Sequence, residues 1–252
     1  MQDIKNSRVM KSVHPLMFWE NNKYFGEYNN MLYFIGGRGT SFLFKTDNNF
    51  YLITAKHNFS NKTTDKIVEE MSTCYIPSKY EEVNEKLSID YFNKNNTLKL
   101  KYLPINISDE YTELHDLCIF HIFDNLPDSL NCLSYQFPDF STKDKGYMIG
   151  FPQNLKKGID NLIECKKAVV LLEIFGITKN DLLMVYKHNT DINELNGFSG
   201  SPVVQYNREK QEYILMGMAI LAGKNTVSII PASIINNVIL EYEKQYLSNK
   251  TE

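Results

Sequence analysis

A serine hydroxyl attacks a carbonyl only with a base beside it and a place for the negative charge that forms on the attacked oxygen. The segment Asn196-Gly197-Phe198-Ser199-Gly200-Ser201-Pro202 provides the frame for such a serine. Gly197 can turn its amide toward the same point as the amide of Ser199, making a backbone oxyanion hole from Gly197 and Ser199. Losing one such donor costs roughly 3–4 kcal/mol of transition-state stabilisation. The candidate base is His57, which closes Thr54-Ala55-Lys56-His57 after the apolar run Phe50-Tyr51-Leu52-Ile53. That run reads as a buried strand, so the histidine stands at the rim of a core. The candidate orienting acid is Asp116, at the mouth of the apolar run Leu117-Cys118-Ile119-Phe120. A carboxylate there can fix the imidazole tautomer and stabilise the imidazolium. Asp90, in Ser88-Ile89-Asp90-Tyr91-Phe92, is its rival. The bland readings are a turn serine in a glycine-rich loop and a rim histidine satisfied by its neighbours. His14, His115, His121 and His188 read as structural.

These segments together resemble the trypsin-like (chymotrypsin-fold) serine proteases, closest to the compact bacterial branch with the HtrA-type and glutamyl endopeptidase-type enzymes. Gly39-Thr40-Ser41-Phe42 resembles the opening of the strand before the histidine, and Thr54-Ala55-Lys56-His57 the histidine motif. Asp116-Leu117-Cys118-Ile119 resembles the aspartate motif, with cysteine where alanine is usual. Asn189-Thr190-Asp191 leading to Gly197-Phe198-Ser199-Gly200-Ser201-Pro202 resembles the serine motif, and Tyr147-Met148-Ile149-Gly150-Phe151-Pro152 a strand and turn of the second barrel. The order His57, Asp116, Ser199 separates this fold from others with the same chemistry. An α/β-hydrolase runs serine, acid, histidine and needs glycine where Ser201 stands. The subtilisin order puts the acid first.

The resemblance implies an all-β chain of two six-stranded antiparallel β-barrels with a C-terminal helix. It implies a serine endopeptidase working through a Ser-His-Asp triad and an acyl-enzyme on a polypeptide substrate, with room for a regulatory protein partner. The alternative is a catalytically inactive protease fold used as a binding or scaffolding module. It also implies a substrate pocket built from Thr190 to Asn196 and from Ala219 to Gly223, with Thr190, Asn193, Ala219, Ile220, Leu221 and Ala222 as its residues. Asn193 stands where aspartate gives a taste for Arg or Lys. Ala219 stands where glutamyl endopeptidases tend to carry histidine. Both substitutions lean toward an uncharged, apolar preference; Asp191 or Glu194, if either reaches the pocket, would instead favour a basic side chain.

The elements that must position these residues read as one peptidase domain over 1–252. Residues 1–30 form an aromatic-rich N-terminal extension, and 31–125 the first barrel, with strands at 31–36, 40–46, 49–55, 97–103 and 116–123. A charged insertion, near 61–96, reads as a solvated decoration with a helix or loop at Lys79–Lys86. The crossover between barrels covers 123–145. The second barrel, 145–230, has strands near 145–151, 161–175, 182–188, 202–206, 212–222 and 225–230. Pro231 opens a helix through Tyr246, with Ile234, Ile235, Val238 and Tyr242 on one face.

Composition sets outer limits. A chain of 252 residues with 43% hydrophobic content can bury two β-barrel cores. A net charge of −3 points to neither nucleic acid nor an anionic membrane surface. No segment matches a membrane-spanning helix, and the opening Met1-Gln2-Asp3-Ile4-Lys5-Asn6 has no apolar signal core, which points to the cytoplasm. Cys74, Cys118, Cys132 and Cys165 show neither disulfide nor zinc-ligand spacing, so no metal or cofactor is expected.

Overall fold

The computed structural model describes residues 4–16, 39–59, 73–75, 86–90, 97–105, 112–126, 128, 130–136, 145–159, 162–177 and 184–248. The expected strand at 31–36 and most of the Lys79–Lys86 segment lie outside these residues. The described residues are mostly β-structure with a C-terminal helix, and their strands pair antiparallel.

Six strands of the N-terminal half form one sheet in the order β1-β2-β3-β7-β6-β4. They are β1 (Val13–Pro15), β2 (Thr40–Lys45), β3 (Phe50–Ala55), β4 (Thr73–Tyr75), β6 (Thr97–Tyr102) and β7 (Leu117–Ile122). Among the described residues this sheet is open, where a closed first barrel was expected. Its outer strands, β1 and β4, have three residues each and do not pair with one another. The centre is formed by β2, β3 and β7, whose Phe42, Leu43, Phe44, Tyr51, Leu52, Ile53 and Ile119 have no solvent exposure. Buried on both faces, these strands read as continuous apolar runs.

The C-terminal half closes as expected. A six-stranded barrel runs β11-β12-β15-β14-β13-β8, from β8 (Lys145–Gly150), β11 (Ala168–Ile177), β12 (Met184–Lys187), β13 (Pro202–Asn207), β14 (Glu212–Ala222) and β15 (Thr226–Pro231). Its interior holds Met148, Leu172, Tyr186, Val203, Met216 and Ile229.

Three details depart from the sequence reading. The N-terminal extension contributes β1, which pairs with β2 from Val13↔Phe42 to Pro15↔Thr40. The charged insertion is partly sheet: β4 pairs with β6, while β5 (Lys86–Asp90) crosses to the other half and pairs with β10 (Leu162–Lys166). With β9 (Lys156–Ile159) these make a separate three-stranded sheet. The strand expected over 161–175 is therefore two, β10 and β11, broken at Lys167. That lysine is buried; its Nζ donates to the Met10 carbonyl and lies 5.5 Å from the centre of the Phe151 ring. The break aims a long cationic side chain at the N-terminal segment.

Pro231 ends β15 and helix α1 spans Ala232–Ser248. Ile235 and Ile239 are fully buried, and Ile234, Val238 and Tyr242 pack beside them. The same core takes in residues of β2, β3, β7, β8, β13 and β14, so it joins the two halves. Glu243 secures the helix from its polar side. Its Oε1 accepts hydrogen bonds from Thr46 Oγ1 at 2.6 Å, Asn49 Nδ2 at 2.8 Å and Tyr51 Oη at 2.8 Å. No described helix is long and apolar enough to cross a membrane.

Candidate active site

The pairing of β3 with β7 brings the histidine and the aspartate together. Ala55 lies opposite Leu117 at one end of the antiparallel pair. Beyond Ala55 the chain makes a 3-10 turn over Lys56–Asn58, and a second such turn over Thr112–Asp116 leads into β7. His57 and Asp116 thus leave the sheet at the same edge. Asp116 Oδ2 lies 2.7 Å from His57 Nδ1, and Asp116 Oδ1 accepts the His57 backbone amide at 2.9 Å. One carboxylate grips both the ring and the main chain of the histidine. In the neutral ring this places the proton on Nδ1 and the lone pair on Nε2. The histidine side chain is 45% exposed and the aspartate 22%, so the outer nitrogen is open to a substrate.

Asp90, the rival acid, lies in β5 opposite Leu162, in the separate three-stranded sheet. The His57 ring nitrogen is instead held by Asp116.

Ser199 follows a 3-10 turn, Ile192–Leu195, in a loop anchored by the buried side chains of Leu195 and Phe198. Gly197 and Gly200 have φ of +98° and +85°, conformations side chains rarely tolerate. A Cβ on Gly200 would stand 2.2 Å from the Thr40 carbonyl oxygen. The loop is held from both halves. The Ser199 carbonyl accepts the Thr40 amide at 2.9 Å and Asn58 Nδ2 at 2.9 Å. From the barrel side, Gly200 N donates to Ala219 O and Ala219 N to Ser201 O, both at 2.8 Å. Asn58 is adjacent to His57, so its amide ties the histidine turn to the serine loop. It also donates to Thr54 Oγ1 at 3.1 Å.

Thr40 adds a second tie. Its hydroxyl donates to the Gly197 carbonyl at 2.7 Å and accepts the Phe151 amide at 2.9 Å. Thr54 Oγ1 in turn donates to the Thr40 carbonyl at 2.7 Å. These supporting residues were not singled out from sequence, although Thr40 and Thr54 lie inside the small-residue motifs around β2 and His57. Their hydroxyls are the signal: polar atoms set in fully buried strands must find partners.

The candidate pocket residues separate. Ala219 is buried and bonded to the serine loop; Thr190 and Ala222 are half-buried. Asn193 lies on the 3-10 turn before the serine. The pairing of β14 with β15 shifts register between Ala219 and Leu221. Around that irregularity Ile220 buries in the core shared with α1, while Leu221 is 68% exposed. Ile220 therefore belongs to the core rather than to an open surface.

The topology matches known structures. No family model matches the chain, and no curated protein matches it. Among solved structures it is similar to Deg5, at a TM-score of 0.51 and 15% identity, over 91% of this chain and 88% of that one. It is likewise similar to a serine endoprotease from Yersinia pestis, at a TM-score of 0.51 and 16% identity, over 96% of this chain and 67% of that one. The chain has the trypsin-like fold of the HtrA-type serine proteases. At these identities the likeness concerns the fold, and the chemistry rests on the residues above.

Proposed function

We propose that the chain is a serine endopeptidase with His57, Asp116 and Ser199 as its triad. The observation that carries this reading is the doubly held His57–Asp116 pair, linked by the adjacent Asn58 to the carbonyl of Ser199. His57 Nε2 takes the Ser199 proton as the hydroxyl oxygen attacks the scissile carbonyl. Asp116 stabilises the resulting imidazolium, and the amides of Gly197 and Ser199 receive the oxyanion. His57 then gives its proton to the leaving amine. Water, deprotonated by the same ring, hydrolyses the acyl-enzyme.

Leu221, exposed, and Ala222, half-buried, offer apolar side chains beside the serine loop, which supports a preference for an uncharged, apolar side chain before the cut. The test is digestion of denatured casein with mass-spectrometric mapping of the cuts. Wild type should cleave after apolar residues, and Ser199→Ala should lose turnover by a factor on the order of 10⁶. Equal cleavage by both proteins would refute the assignment.

A further inference from the structure

His188 follows β12 directly and is 3% exposed. Its two ring nitrogens face two main-chain carbonyls on different segments. Nδ1 is 3.1 Å from Thr190 O, at the start of the loop leading to Ser199. Nε2 is 3.2 Å from Gly223 O, just past the end of β14. Its own amide donates to Asn225 O at 3.0 Å. Thr190 and Gly223 are the first and last residues of the two segments expected to wall the substrate pocket.

A neutral imidazole has one N–H and one lone pair, whereas a carbonyl oxygen only accepts. A singly protonated ring therefore completes one of the two bonds and sets its lone pair against the other carbonyl. A ring protonated on both nitrogens completes both, and each bond then has the extra strength of a charged donor. The charged groups nearest in the chain and across the sheet are mixed in sign. Lys187 precedes His188 and pairs across the strands with Glu173 of β11. Lys224 stands in the β14–β15 turn, and Asp191 and Glu194 stand in the serine loop. Ser228 and Thr226 of β15, which faces β12, are uncharged.

We infer that His188 is a positioning residue that ties the two walls of the substrate pocket to one another through the carbonyls of Thr190 and Gly223. The inference rests on the peptidase reading for its effect on substrate and on the two contacts for its geometry. Both nitrogens being engaged, the ring offers no donor to the substrate side chain, so it sets the pocket's width rather than its charge preference.

The test compares wild type with His188→Gln, a neutral side chain whose single amide nitrogen cannot span both carbonyls. KM and kcat are compared on a peptide recovered from the wild-type casein digest, with fluorophosphonate labelling of Ser199 as a check that the triad is assembled. In His188→Gln, KM should rise by roughly ten-fold with kcat little changed, the worth of one lost hydrogen bond between the two walls. A variant KM equal to that of wild type, or a loss confined to kcat, overturns the inference. ¹⁵N NMR of the histidine rings in the intact chain gives a readout independent of turnover. A His188 ring N–H protected from exchange with solvent supports the bridge, and one that exchanges like an exposed imidazole overturns it. If wild type neither labels nor cuts casein, the peptidase reading fails, and the NMR result alone decides the bridge.

Discussion

Replacing Thr40 by valine keeps the shape of the side chain and removes only its hydroxyl, so it isolates one supporting tie of the serine loop. Thr40 is fully buried, and so is Phe151, whose amide it receives. The change takes the donor from the Gly197 carbonyl and the acceptor from the Phe151 amide. Leaving a buried polar group unsatisfied costs about 1–3 kcal/mol, so two such groups give a loss of about 2–6 kcal/mol. In a chain of this size that lowers Tm by roughly 4–24 °C. The Gly197 carbonyl belongs to the peptide between the two amides that would hold the oxyanion. Its release should therefore slow acylation by roughly 10- to 100-fold, a fraction of what one missing oxyanion donor costs. Differential scanning fluorimetry and the rate of fluorophosphonate labelling measure the two effects. Thr40→Ser, which restores the hydroxyl, should recover most of both. Thr40→Val that melts and labels like wild type would refute the argument.

Asp116→Asn should leave the fold stable but lower kcat by a factor on the order of 10⁴, read from peptide hydrolysis, because the ring then loses its tautomer control. Glu243→Ala should destabilise by about 2–4 kcal/mol in urea unfolding, since it strips the acceptor from three hydrogen bonds, one of them from the fully buried Tyr51. Burial first, and the Lys167 charge second, hold the His14 imidazole well below its ordinary value of 6.5. The unfolded chain therefore takes up a proton that the folded one refuses. Stability should fall with acidification below about pH 6.5, by at most about 1.4 kcal/mol per pH unit. Denaturant titrations of His14→Leu should show a shallower slope over that range.

The sequence made the site legible where chemistry and local geometry coincide. Ser199 sits between glycines whose positive φ the loop uses, and His57 and Asp116 each stand at the end of an apolar run. Once those two runs pair antiparallel with Ala55 opposite Leu117, the residues must meet. The closed barrel was legible through the resemblance of the motifs to a known family, and the helix after Pro231 through its one-sided apolar face. The rest depended on long-range pairing that no local pattern encodes. Nothing within Lys86–Asp90 says that its partner is Leu162–Lys166, some 75 residues on. Val13–Pro15 is too short for a periodic signal. Lys167 interrupts an otherwise strand-like run because of a contact with the Met10 carbonyl, a residue distant in sequence. Thr40, Thr54 and Asn58 look ordinary in sequence, and their role comes from carbonyls delivered by the other half of the fold.

The most direct measurement is reaction of the purified chain with a fluorophosphonate, followed by mass spectrometry of the adduct, with Ser199→Ala alongside. A single adduct on Ser199, absent from the variant and not formed when the chain is heated past its melting transition before the probe is added, is the result expected of an assembled triad. No adduct on folded wild type, or equal labelling of the variant, would contradict the peptidase assignment.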